Sequence, residues 1–147
     1  MAKPIELSPE QRPRLERGDV IVELSTVAGS KAPLATVLAF VDTAPERLWA
    51  LIDRTADYAR TMKGVKRAEE LSRSDDAAGQ EVRAKVTIGM PFPLKDLTSV
   101  TRATHTVDEL DAGGRRYCRS WSLESGDYHR NEGSWTLEPD PQRPQRT

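Results

Sequence analysis

His105 and His129 are the only histidines in this sequence, and histidine is the side chain whose ordinary titration spans neutral pH. Facing a cavity, either could pass a proton to or from a carbonyl or enol. On a wetted strand it would do neither. Arg119 shares its strand parity with Tyr117 and Trp121. A guanidinium between aromatics can receive a carboxylate, or can simply reach the rim with its stem on apolar surface. Ser99, Thr101 and His105 fall on one parity, and Arg119, His129 and Asn131 are expected to join them from the two following strands. Polar groups scattered in this way orient a ligand within an apolar pocket. There is no HExxH, nucleophile elbow, phosphate loop or paired metal-ligand spacing, and Gly113-Gly114 belongs to a turn. No metal site and no cofactor is expected. The single cysteine, Cys118, makes no internal disulfide and no CxxC, and its parity turns it toward the outer surface.

These side chains need a frame, and residues 39–62 (AFVDTAPERLWALIDRTADYARTM) organise it. Thr43 and Glu46 have capping-box spacing, and Pro45 sits in the first turn, where its missing N–H is harmless. Leu48, Leu51 and Ile52 share a helical face, with Trp49 beside them; Tyr58 and Met62 mark a second short helix that Gly64 stops. Before this stretch, residues 8–17 spell a helix with Ser8 as cap, Pro9 in the first turn and Gln11 completing a capping box, although Pro13 fits poorly. Residues 20–24 read as a strand. Residues 34–41 (LATVLAFV) read as a strand buried on both faces.

Everything after the helices is strand-like. Residues 65–71 and 80–90 flank a polar turn, and in the second of these Val82, Ala84, Val86 and Ile88 alternate with Glu81, Arg83, Lys85 and Thr87. Residues 97–110, 115–123 and 128–137 follow, joined by the DAGG and SGD turns, with Gly133, Trp135 and Leu137 on one face of the last. The order predicts an α+β fold: a curved antiparallel sheet gripping the helices, with a hollow between. Its lining is expected from Leu48, Trp49, Leu51, Ile52, Val82, Ala84, Val86, Ile88, Ser99, Thr101, His105, Tyr117, Arg119, Trp121, His129, Asn131 and Trp135. Residues 1–18 form an N-terminal extension, residues 19–139 the domain, and residues 140–147 (DPQRPQRT) a tail expected to be disordered.

The 147 residues suffice for one domain with a real core. Lys plus Arg number 22 against 23 Asp plus Glu, a net charge of −1 that argues against a nucleic-acid or anionic-membrane footprint. The basic residues Lys63, Lys66 and Arg67 are followed at once by Glu69 and Glu70, as on a solvated face. No apolar run near the N-terminus resembles a secretory leader or membrane anchor, so a cytoplasmic location is the default expectation.

Three segments carry a resemblance. VDTAPERLWALIDRTADYARTM is similar to the entry motif of the START-like, helix-grip (SRPBCC) superfamily, in particular its polyketide cyclase/dehydrase branch. GSWTL (residues 133–137) resembles that family's Gly-x-Trp-x-Leu strand, and PFPLKD its proline-rich loop, with Asp96 as the acidic residue. The likeness spans about residues 34–139. It implies a seven-stranded antiparallel sheet around a long C-terminal helix, enclosing a cavity for a lipid, quinone or polyketide-like molecule. The sequence departs from the pattern in lacking the usual final strand and C-terminal helix. Compensation by the N-terminal segment, a second copy in a homodimer covering the open groove, and a truncated chain all remain open as explanations. Three functions follow. A non-catalytic carrier of a hydrophobic small molecule leads, because no residue set demands catalysis. An aromatase/cyclase-type enzyme using His105, His129 or Arg119 is the alternative, and a module whose groove holds another chain is the third.

Overall fold

The structure is a computed structural model that describes residues 2–147. Its main body is a five-stranded antiparallel sheet in the order β3-β4-β5-β6-β7, formed by Val65–Asp76, Gly79–Ile88, Leu97–Glu109, Arg115–Gly126 and Gly133–Leu137. Each strand pairs with the next in sequence, the pattern that short turns impose on period-2 segments. A second sheet is a two-stranded ribbon of β1 (Ile21–Ser25) and β2 (Leu34–Leu38). The helices are α1 (Gln11–Glu16), α2 (Pro45–Asp53) and α3 (Tyr58–Thr61), with a 3-10 turn, Thr55–Asp57, between the last two. No helix among the described residues is long and apolar enough to cross a membrane, and none follows β7.

The alternation expected for β4 to β6 is present. Val82, Ala84 and Ala103 are fully buried, and Ser99, Thr101, His105, Tyr117 and Arg119 join them on the same face. Over this face lie the helices, with α2 against β6 and β7, and α3 and the 3-10 turn against β3. Ile52, Tyr117 and Leu137 form the core cluster, with Leu48, Trp49 and Met62 packed on it.

Several expectations are corrected. Residues 34–41 are not a doubly buried strand: Leu34 and Val37 are more than half exposed, because β2 pairs only with β1. A strand inside a large sheet and one in a ribbon have the same local sequence; only the neighbours differ. Strand β3 runs to Asp76, so the turn shrinks to Ala77-Ala78, while residues 128–132 are irregular and β7 begins at Gly133. Ala44 rather than Thr43 stands at the N-cap of α2, without a side-chain cap, and Glu46 instead accepts a 3.5 Å bond from the Tyr117 hydroxyl. The reciprocal Ser8–Gln11 bonds do form (2.8 and 3.3 Å), but the helix starts only at Gln11, which leaves Pro13 in its first turn.

The tail expected to be disordered is docked. Asp140 and Arg146 are buried, and residues 41 and 147 exchange both backbone bonds at 2.9 Å. Asp140 accepts from Arg12 at 2.7 Å and from Arg146, while Arg146 also donates to both oxygens of Glu16 at 2.9 Å. Phe40 lies under both cations, 5.4 Å from Arg12 and 4.0 Å from Arg146. This lattice of bidentate and cation–π contacts clamps α1, the exit of β2 and the tail together.

Candidate functional site

The expected lining residues divide among two hollows, a buried clamp, a polar trio, the packed core and the exposed surface. Arg119 makes the clamp. It is 4% exposed, and its Nη1 donates to the Ile52 carbonyl at 3.3 Å and to Thr55 Oγ1 at 3.1 Å, beneath the Tyr58 ring at 5.5 Å. The Tyr58 hydroxyl donates to the same carbonyl. Arg119 thus ties off a free carbonyl at the C-terminal end of α2 and fixes the turn that follows. The expectation that it meets a ligand carboxylate or snorkels to the rim is corrected: the guanidinium is used inside the fold. Burial lowers its pKa and raises that of Tyr58.

The first hollow is a polar cleft of about 390 Å³, walled by Trp49, Asp53 and His105 with the β3–β4 turn at its mouth. His105 is 5% exposed and meets Trp49 edge-on, with ring centroids 5.0 Å apart. Its Nδ1 lies 3.2 Å from Asp53 Oδ1 but outside hydrogen-bond geometry, so neither ring nitrogen has a hydrogen-bond partner among the described residues. Burial, aided by the positive charge of Arg119 and opposed by Asp53, pushes His105 down to about 4. The imidazole is neutral at pH 7. Asp53 itself is held by Arg73 at 2.9 Å, which also binds Glu70.

The second hollow is apolar and has a volume of about 500 Å³. Leu48 from α2 and Leu137 from β7 form one wall, Leu38 and Phe40 a second, and Ile5, Leu7 and Leu15 a third. Polar groups, among them Arg12, Glu138, Asp140 and Thr147, also border it. Of the expected lining set only Leu48 and Trp135 border it, with Trp135 44% exposed. Trp49 and His105 belong to the cleft instead. Ile52, Val82, Ala84, Thr101 and Tyr117 are packed core, and Val86 and Ile88 are half-buried on the sheet. Leu51 is 49% exposed because α2 turns its Leu48–Ile52 edge to β6 and β7. At another place on the sheet the Trp121 indole donates to Asn131 at 3.1 Å, and Asn131 donates to Ser99 at 3.4 Å. His129 is exposed in the loop before β7 and joins none of these groups.

The walls that sequence reading missed are Ile5, Leu7, Leu15, Leu38, Phe40 and Leu137. The alternation of Ile5 and Leu7 across Glu6 was the available signal, but nothing local says what that segment packs on.

Residues 41–146 match the family described as polyketide cyclase / dehydrase and lipid transport. The match takes in the docked tail, the cavity's α2 wall and the whole five-stranded sheet. Among solved structures, a STAR-related lipid transfer protein from Xanthomonas axonopodis is similar in fold, with a TM-score of 0.66 and 18% identity. That match covers 82% of this chain and 69% of the other. No curated protein matches the chain. The architecture is therefore α+β and START-like, with the C-terminal helix that the resemblance implied missing from the described residues.

Proposed function

The chain belongs to the polyketide cyclase / dehydrase and lipid transport family, and we propose that it binds a hydrophobic small molecule in the apolar cavity beside α2 and β7. One observation carries this reading. A space of about 500 Å³ is walled by aliphatic and aromatic side chains, with a few polar groups along its border. That is the usual build of a small-molecule pocket, whose walls supply affinity and whose few polar groups set orientation. The fold neighbour is a lipid transfer protein, which puts a lipid ahead of a quinone or polyketide. Gently purified protein is expected to release such a molecule in native mass spectrometry. A fluorescent fatty acid should bind, and Leu38→Trp, which fills the space, should abolish that binding. An empty protein that takes up no apolar probe, or a Leu38→Trp variant that binds as well as the wild type, refutes the proposal.

A second reading, an enzyme of the cyclase type, has one feature in its favour. His105 is neutral, without a hydrogen-bond partner among the described residues and next to Asp53 in the polar cleft. A neutral imidazole can take a proton, but a base near pKa 4 is poorly matched to work at pH 7, so this reading stands second. Its test is turnover of a polyketone, lost in His105→Phe while apolar ligands still bind. Absence of any turnover by the wild type ends it.

A further inference from the structure

The ribbon of β1 and β2 has two unlike faces. Ile21, Glu23 and Leu38 turn toward α1, where Ile21 is 2% exposed and Glu23 accepts a 2.9 Å bond from Gln11. On the other face Val22 stands opposite Val37, and Leu24 opposite Ala35; Val20 and Ala39 extend the same parity one step further. All six residues are apolar and all are exposed, with Val20, Val22, Leu24 and Val37 at 59 to 67%. No part of the described residues covers them. Val37 and Ala39 also line the apolar cavity, so the bare face continues into its mouth.

Two occupants fit an uncharged apolar face: a lipid bilayer or a protein surface of the same kind. A bilayer-docking face normally carries aromatic anchors and a surrounding set of lysines and arginines. This face has no aromatic residue, and Lys31 at the ribbon tip is the only basic residue between positions 18 and 46. A second copy of this chain fits better. The face is apolar along both rows and free of charge, so it can meet its own copy across a two-fold axis without burying an unpaired charge. At these exposures it offers roughly 500 Å² per copy, so a pair buries about 1,000 Å², near the lower limit for a specific interface. We infer that the chain forms a homodimer through the Val20–Val22–Leu24 and Ala35–Val37–Ala39 rows, packed face to face, and that the partner ribbon closes the mouth of the apolar cavity. The closing role rests on the ligand reading above; the interface rests on the ribbon alone.

The test is sedimentation velocity of the full chain between about 1 and 100 μM, a range over which mass action reveals a modest interface. The wild type should move from one to twice the single-chain mass. Val22→Glu combined with Val37→Glu sets four carboxylates face to face and should weaken the dimer at least about tenfold. Both side chains are 59% exposed, so the variant should melt within a few degrees of the wild type. Should it not fold, Val22→Thr with Val37→Thr keeps β-branching and asks the same question more gently. A wild type that stays monomeric throughout overturns the inference, as does a dimer indifferent to the glutamates. A monomer that pelts down with phosphatidylcholine vesicles overturns it too and assigns the face to a bilayer. Titrating the fluorescent fatty acid into the same samples separates the two claims. A dimer with an empty cavity removes the ligand reading alone, and a ligand-binding monomer removes the interface alone.

Discussion

Replacing Arg119 by alanine decides between a structural clamp and a ligand-binding group. In the structure the guanidinium is 4% exposed, donates to the Ile52 carbonyl and the Thr55 hydroxyl, and lies beneath Tyr58. Alanine leaves the fully buried Thr55 without this donor, which costs about 1–3 kcal/mol. The lost ring contact adds about 1–2 kcal/mol, and the vacated stem volume roughly 1–2 kcal/mol. Ile52 keeps the Tyr58 hydroxyl, so its carbonyl is not orphaned. Against these losses stands the relief of a desolvated cation that has no salt bridge among the described residues, roughly 1–3 kcal/mol. The balance is a destabilisation of about 3 kcal/mol. At this chain length each kcal/mol moves Tm by about 2–4 °C, so the expected drop is about 6–12 °C by calorimetry. Arg119→Met, which keeps the stem and removes the charge, should lose about half of that. An unchanged Tm together with weakened binding of a fatty acid would refute the clamp and return Arg119 to the ligand.

Three further outcomes are expected. The unfolded chain protonates His105 near its ordinary 6.5, while the folded chain resists until about 4; stability therefore falls as pH drops from 6.5 toward 4, and His105→Phe should flatten that part of a Tm-against-pH curve. Asp140→Ala should loosen α1 as well as the tail, because Arg12 loses its acceptor on the tail and Arg146 keeps only Glu16; hydrogen exchange should rise across residues 5–16, and unchanged protection there would refute the coupling. Gly79→Ala should cost about 1–3 kcal/mol or more, since φ is +136° and the new Cβ would stand 2.3 Å from the His105 carbonyl oxygen; a variant that melts like the wild type would contradict this packing.

Elements whose information is local could be read before any fold was known. Alternation in β4, β5 and β6 named the buried face, because side chains two apart must share a side of the sheet. Val82, Ala84, Ser99, Thr101, His105, Tyr117 and Arg119 were all legible in this way, as were α2 after Pro45 and the hairpin turns. What each face meets depends on segments brought together from distant parts of the chain. Arg119 looked like a ligand group because its parity was readable and its partner, the end of α2 more than 60 positions away, was not. Residues 140–147 looked disordered because proline and charge predict no local structure. Their order comes from Arg12 and Glu16, about 130 residues distant. The apolar cavity was misplaced for the same reason: its walls come from both ends of the chain, and no periodicity within a segment encodes which other segment will lie upon it.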